Sequence, residues 1–176
     1  ISNPYFAQND YGRSTFDRTQ SLRLSSVYEL PGKGMLLGGW RVTGLFSRAT
    51  GAPFSILTGF DRSGLGAGAG VRPSLAPGAS GNPILGGPDK YFDTSAFMLQ
   101  PVGQLGNLGR TTGSGPGLVN LDMALLKSTP VKRISDVFNL QFRAEFFNIL
   151  NHPNWGQPNG NIFQNGVGTG TPNPAA

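Results

Sequence analysis

Cysteine is absent from the 176 residues, which excludes a disulfide framework, a thiolate metal site and a cysteine nucleophile. The single histidine, His152, sits in the turn-forming run Asn-His-Pro-Asn with no second His or Cys to complete a metal site. No apolar run approaches the roughly 18 residues of a membrane-crossing helix. Charged side chains make up only 13% of the chain, too few for a disordered polyampholyte. The 14 basic and 9 acidic residues are scattered, with Lys132-Arg133 the adjacent basic pair, so the clustered stripe of a nucleic-acid footprint is missing. A Gly-x-Ser-x-Gly nucleophile elbow is missing too. The glycine-rich stretch Gly64 to Gly70 is not followed by the Lys-Ser or Lys-Thr of a phosphate loop. Asp61, Asp89 and Asp93 have a spacing that matches no calcium loop. The expectation is a chain that is not an enzyme and carries no cofactor or metal.

What is abundant is glycine, 27 residues, and proline, 14, nearly a quarter of the chain together. Aromatic residues stand at 10%. This composition points to short strands and long turns, with a thin core for the length. The chain opens at Ile1 without a basic-then-apolar signal segment, so it reads as either processed or a piece of something longer.

The patterning has period two rather than 3.6. Leu22, Leu24, Tyr28 and Leu30 alternate with Arg23, Ser25 and Glu29. After the turn Pro31-Gly32-Lys33-Gly34, Leu36, Trp40, Val42 and Phe46 share one face while Arg41, Thr43 and Ser47 share the other, which reads as a hairpin. Val119, Leu121, Met123 and Leu125 alternate with Asn120, Asp122 and Ala124. In Val137 to Phe147, Phe138, Leu140, Phe142, Ala144 and Phe146 form a wholly apolar face against Asn139, Gln141, Arg143 and Glu145. The fold class that follows is all-β, an antiparallel meander of about four long strands with a long Gly/Pro-rich loop.

Residues 1–176 are thus expected as a single β-barrel fragment: a first hairpin at 20–48, a long loop region at 49–117, a second hairpin at 118–148 and a turn-rich tail at 149–176. Short local pieces are expected in the loop near Pro53 to Thr58, Tyr91 to Asp93 and Ala96 to Met98, since a bare connection of that length is rare.

Two-faced strands have two physical homes. In a soluble sandwich two apolar faces bury each other. In an outer-membrane barrel the apolar face meets lipid and the polar face lines the lumen. Mid-strand charges at Arg23, Glu29, Arg41, Asp122, Arg143 and Glu145 favour a wet lumen, while the solvent face of a sandwich remains the alternative. Leu22, Leu24, Trp40, Val42, Phe46, Leu121, Met123, Phe138, Leu140, Phe142 and Phe146 are the residues expected to face lipid or another subunit. Tyr91, Phe92 and Trp155 are the aromatics placed to contact a ligand.

Specific segments resemble the C-terminal portion of TonB-dependent outer-membrane receptors of the Oar-like type. They are Phe16-Asp17-Arg18-Thr19-Gln20, Tyr28-Glu29-Leu30-Pro31, Leu37-Gly38-Gly39-Trp40, Thr50-Gly51-Ala52-Pro53-Phe54, Gly115-Pro116-Gly117 and Val119-Asn120-Leu121-Asp122. The run Gln141 to Asn154 is the most specific, and the likeness extends over roughly residues 15–165. The resemblance implies part of a barrel of about 22 strands in the bacterial outer membrane, taking up a substrate with energy delivered by TonB, a partner of the intact parent only. Plug, TonB box and closing aromatic strand are not recognisable. Four strands cannot close a barrel, since the smallest has about eight. The alternative is a secreted, extracellular structural or adhesive subunit that self-assembles into filaments of its own copies by strand complementation at open sheet edges.

Overall fold

The computed structural model describes residues 7–66, 68–80 and 82–163. Among the described residues eight strands appear in chain order: β1 (Ser21–Glu29), β2 (Trp40–Ala49), β3 (Pro53–Phe54), β4 (Ser74–Leu75), β5 (Phe97–Met98), β6 (Gly113–Ser114), β7 (Leu118–Pro130) and β8 (Asn139–Phe146). The one α-helix among the described residues is a single turn, α1 (Gly34–Leu37). The chain divides into two compact units: Thr19–Thr50 with Gly117–Asn154, and Ile1–Arg18 with Gly51–Pro116 and Trp155–Ala176.

The first unit is a four-stranded antiparallel sheet in the order β1-β2-β7-β8, the all-β meander that the period-two pattern predicts. Opposed residues of an antiparallel pair share a face, so the register fixes both faces. Leu22 pairs with Arg48, Leu24 with Phe46 and Tyr28 with Val42. Val42 continues to Leu125, Phe46 to Leu121 and Trp40 to Lys127. Met123 continues to Phe146, Leu125 to Ala144 and Lys127 to Phe142. Arg23 to Ser47, Glu29 to Arg41, Leu45 to Asp122, and Leu126 to Arg143 follow on the opposite face.

Two short connections lie at one end of the sheet. The first carries α1 and closes through the Leu30 amide donating to the Trp40 carbonyl at 3.0 Å. Leu36, expected on the strand face, lies instead in α1. The cause is Gly38-Gly39: Gly39 has φ +75 and brings its backbone under the Ser128 carbonyl, where a Cβ would stand 2.2 Å from that oxygen. The second connection closes through the Val131 amide and the Phe138 carbonyl at 3.0 Å, so Phe138 falls just before β8, in the last step of the hairpin. At the opposite end the chain leaves after Ala49 and returns at Leu118.

β8 stops pairing at Met123, and the next stretch of the β7 edge is met by the turn after β8, whose Ile149 amide donates to the Leu121 carbonyl at 2.9 Å. Asp122 accepts from the Asn148 amide at 2.8 Å, and the Asn154 amide group both accepts from the Val119 N–H at 2.9 Å and donates to its carbonyl at 3.0 Å. Asn148 and Asn151 adopt left-handed φ of 47 and 48, a conformation that asparagine tolerates better than most residues. The Asn-His-Pro-Asn run is therefore a turn that dresses a strand edge. His152 serves it through its backbone, exchanging hydrogen bonds with the Asn148 side chain.

The second unit gathers the long Gly/Pro-rich region around its own core of Phe54, Ile56, Phe92, Ala96, Phe97, Leu108, Ile162 and Phe163. Its strands are two-residue pairs, β3 with β6 and β4 with β5. The expected strand at Pro53 to Thr58 is therefore shorter, and the expected pieces near residues 92 and 97 are core positions. Phe54, Phe92 and Phe97 stack as tilted or edge pairs with centroids 6.0 and 6.2 Å apart. Ile162 and Phe163, in the stretch read as a turn-rich tail, belong to this core. Ile162 is held by its amide to the Leu57 carbonyl at 3.0 Å. The tail beyond Phe163 lies outside the described residues. Asp10 reaches Arg72 in an ion pair of 2.8 Å with both side chains about nine-tenths buried, and Arg72 also donates to the Leu108 carbonyl at 2.9 Å. Gly106 is required by close approach: a Cβ there would lie 2.2 Å from the Arg72 carbonyl oxygen.

Candidate functional site

The feature that stands out is a sheet face. Leu22, Leu24, Tyr28, Trp40, Val42, Phe46, Val119, Leu121, Met123, Leu125, Leu140, Phe142 and Phe146 lie on it by register. Phe138 shares their parity. Of the four sheet strands, Thr129 alone is buried. Leu24, Tyr28, Leu140, Phe142 and Phe146 are each about half exposed or more. Within its unit nothing covers this face, and an exposed apolar patch of such extent marks an interaction surface.

Two cations bound the apolar band along β2 and β7. Arg48 stands on the face at the end where the long connection leaves, and Lys127 at the end of the short turns. Eight residues separate the Arg48 and Trp40 levels, or about 27 Å at 3.4 Å per residue. With the strand tilt of about 40° usual in barrels this is about 21 Å of height, close to the roughly 25 Å apolar band of outer-membrane barrels. Trp40, Tyr28 and Phe142 cluster toward the Lys127 end, as an interfacial girdle does, while Phe46 lies one step toward the other end and Phe146 stands at mid-band opposite Met123.

The opposite face carries paired charge. Arg41 donates to Glu29 at 2.6 Å, Arg143 bonds Glu145, and Asn139 bonds Ser128. A polar groove of about 510 Å³ opens here between Glu29, Arg41, Ser128 and Gln141. Exposed pairs of this kind add little stability; what they record is that this face is wet.

The three aromatics expected to touch a ligand separate. Phe92 is fully buried and has no surface to offer, because it is the ring on which Phe54 and Phe97 pack; sequence reasoning could not distinguish a core phenylalanine from an exposed one in a loop. Tyr91 is half-buried and donates its hydroxyl to the Ser114 carbonyl at 2.8 Å, and burial raises its pKa. Trp155 is exposed. A shallow cavity of about 310 Å³ near Ser80, Asn82, Asp93 and Ser95 was not anticipated. The Ser95 hydroxyl and amide both donate to Asp93 and hold its carboxyl below the usual range. Asp61 is lowered likewise, first by the Ser63 hydroxyl and then by the Gly64 and Gly66 amides. Among the described residues no group of three or more His, Cys, Asp or Glu side chains is placed to hold a metal ion.

An antiparallel meander with one apolar face, aromatics clustered at one end of it and a charged reverse face defines a class, the wall of a membrane β-barrel. A family model described as the outer membrane beta barrel domain matches residues 1–175, and the chain belongs to that family. Its location is the bacterial outer membrane. Comparison with curated proteins and with solved structures returns no match.

Proposed function

We propose that the sheet is part of the barrel wall of a TonB-dependent receptor-like protein that binds or transports a substrate, with its apolar face against lipid and its charged face toward the lumen. The observation that carries this reading is the register, which sorts the apolar residues singled out within the four paired strands to one face and the mid-strand charges Arg23, Glu29, Arg41, Asp122, Arg143 and Glu145 to the other. The short turns then lie on the periplasmic side, and the long connection leaves on the extracellular side. The edges of β1 and β8 are the places where further strands join, since four strands cannot enclose a lumen. The Oar-like segments support the coupling to TonB, and the exposed Trp155 and the cavity beside Asp93 are the ligand-contact positions of the second unit.

Cell fractionation followed by sizing tests the wall. The chain is expected in the outer-membrane fraction and as a particle that requires detergent. Long detergent-free polymers would refute the wall and favour strand complementation between copies at the β1 and β8 edges. Site-specific crosslinking to TonB in intact cells, with the intact parent protein at its natural expression level, tests the energy coupling. A crosslink supports it, and a membrane-inserted protein that never crosslinks refutes it.

A further inference from the structure

We infer that the first short turn is a membrane anchor: Met35, Leu36 and Leu37 form an apolar finger that seats in the periplasmic leaflet of the outer membrane. This rests on the reading of the sheet as a lipid-facing wall. The three side chains are consecutive and 67%, 82% and 71% exposed, an unusual display for a turn that needs only to reverse the chain. The finger is also aimed. The Trp40 indole N–H donates to the Leu36 carbonyl at 3.0 Å, and the Lys127 ammonium donates to the Met35 carbonyl at 2.9 Å and to the Gly38 carbonyl. Lys127 also sits 5.4 Å over the Trp40 ring. Trp40 and Lys127 are register partners on the apolar face. They therefore draw the carbonyl end of α1 toward the lipid side of the sheet, continuous with the apolar band, and leave the polar groove on the reverse face open.

Lysine and tryptophan are the residue types that sit at a membrane–water boundary, with apolar bodies inward and polar tips outward. Here they also satisfy carbonyls that a one-turn helix leaves without intrahelical partners, so the finger carries little unpaired backbone into the headgroup region. Charge at this end fits the same partner. Lys33, Lys132 and Arg133 are exposed on the two short turns, against one turn carboxylate, Asp136. Such a basic margin is attracted to anionic phospholipid headgroups. The occupant of the finger's site is thus a phospholipid surface, entered to the shallow depth of an interfacial helix, about 5–10 Å.

The absence of cysteine makes the test direct. The full chain is prepared as Leu36→Cys, Met123→Cys and Asn120→Cys, each carrying an environment-sensitive fluorophore, in vesicles of phosphatidylethanolamine with phosphatidylglycerol. Nitroxide-labelled lipids with the nitroxide near the headgroup or deep in the acyl chain serve as quenchers, and iodide reports water. The Leu36 label is expected to lose emission to the shallow nitroxide, the Met123 label to the deep one, and the Asn120 label to iodide. Lys127→Met is expected to reduce shallow quenching at residue 36 and leave deep quenching at residue 123 unchanged. A Leu36 label that answers only to iodide, while the Met123 label is quenched from the acyl region, overturns the finger and leaves the wall standing. If no lipid quenches the Met123 label, the wall falls and the finger with it. Quenching at residue 36 that is indifferent to Lys127→Met overturns the clasp that aims the finger.

Discussion

Met123→Arg places a charge at the centre of the apolar face. Met123 lies opposite Gly44 on one side and Phe146 on the other, four residues from Lys127 and four from Val119, the partner of Arg48. At about 3.4 Å per residue both cationic levels are roughly 14 Å away along the strand, or about 10 Å in height once tilt is allowed for. An arginine so placed is too far from either boundary for its head group to escape fully. The penalty for a lipid-facing arginine near the midplane is about 2–4 kcal/mol, falling to about 0–1 kcal/mol near the interface. Three variants turn this into a depth profile: Met123→Arg should lose about 2–4 kcal/mol, Val119→Arg about 0–1 kcal/mol, and Ala124→Arg on the polar face a few tenths at most. The measurement is reversible urea unfolding of the chain in lipid bilayers, followed by the fluorescence of Trp40 and Trp155. If the apolar face met water, Met123→Arg would cost nothing. If it packed on a second sheet, Val119→Arg would be penalised as heavily as Met123→Arg. Either pattern, or the largest loss at Ala124, would refute the assignment of the faces.

The other predictions concern the second unit. Phe92→Ala removes a fully buried ring that packs on Phe54 and Phe97, and is expected to destabilise that unit by about 3–5 kcal/mol, read as faster trypsin cleavage at Arg62 and Lys90; unchanged cleavage rates would show that this core does not hold the region together. Asp61 has a carboxyl lowered from the ordinary 3.8 by its hydrogen bonds to Ser63, Gly64 and Gly66. Its contribution is present above the unfolded value and lost as pH falls through the lower folded one, so the Gly64 and Gly66 amide resonances should titrate with a midpoint below 3.8, and Asp61→Asn should abolish that shift. A midpoint at or above the ordinary value would contradict the loop geometry.

The sheet was legible because alternation is local: each of Phe138 to Phe146 reports its own face, and two neighbouring strands with opposed patterns admit one sensible register. The apolar face could be read for the same reason, whereas its bounding cations Arg48 and Lys127 emerge only from the register. Leu36 was misplaced because parity counting runs through a turn as though it were strand, and only the approach of Gly39 to Ser128 stops the count. The second unit was opaque for a deeper physical reason. Its strands are two residues long, too short for any period, and its core is assembled from positions such as Phe54, Phe92 and Ile162 that no window of sequence brings together. Glycine and proline there mark close approaches, as at Gly106 against Arg72, in a packed unit whose composition resembles that of a loose loop.

Ile162 gives that second unit a direction in time. Every strand of the sheet, from Ser21 to Phe146, precedes residue 162 along the chain, so both hairpins can pair without it. The unit built on Phe54 and Phe92 cannot, since its backbone bond from Ile162 to Leu57 bridges more than a hundred intervening residues. Contacts so distant along the chain form late and slowly. The last described residues therefore act as the keystone of a unit begun a hundred residues earlier, and a chain cut after β8 would keep both hairpins but leave the connection between them unfinished and protease-sensitive.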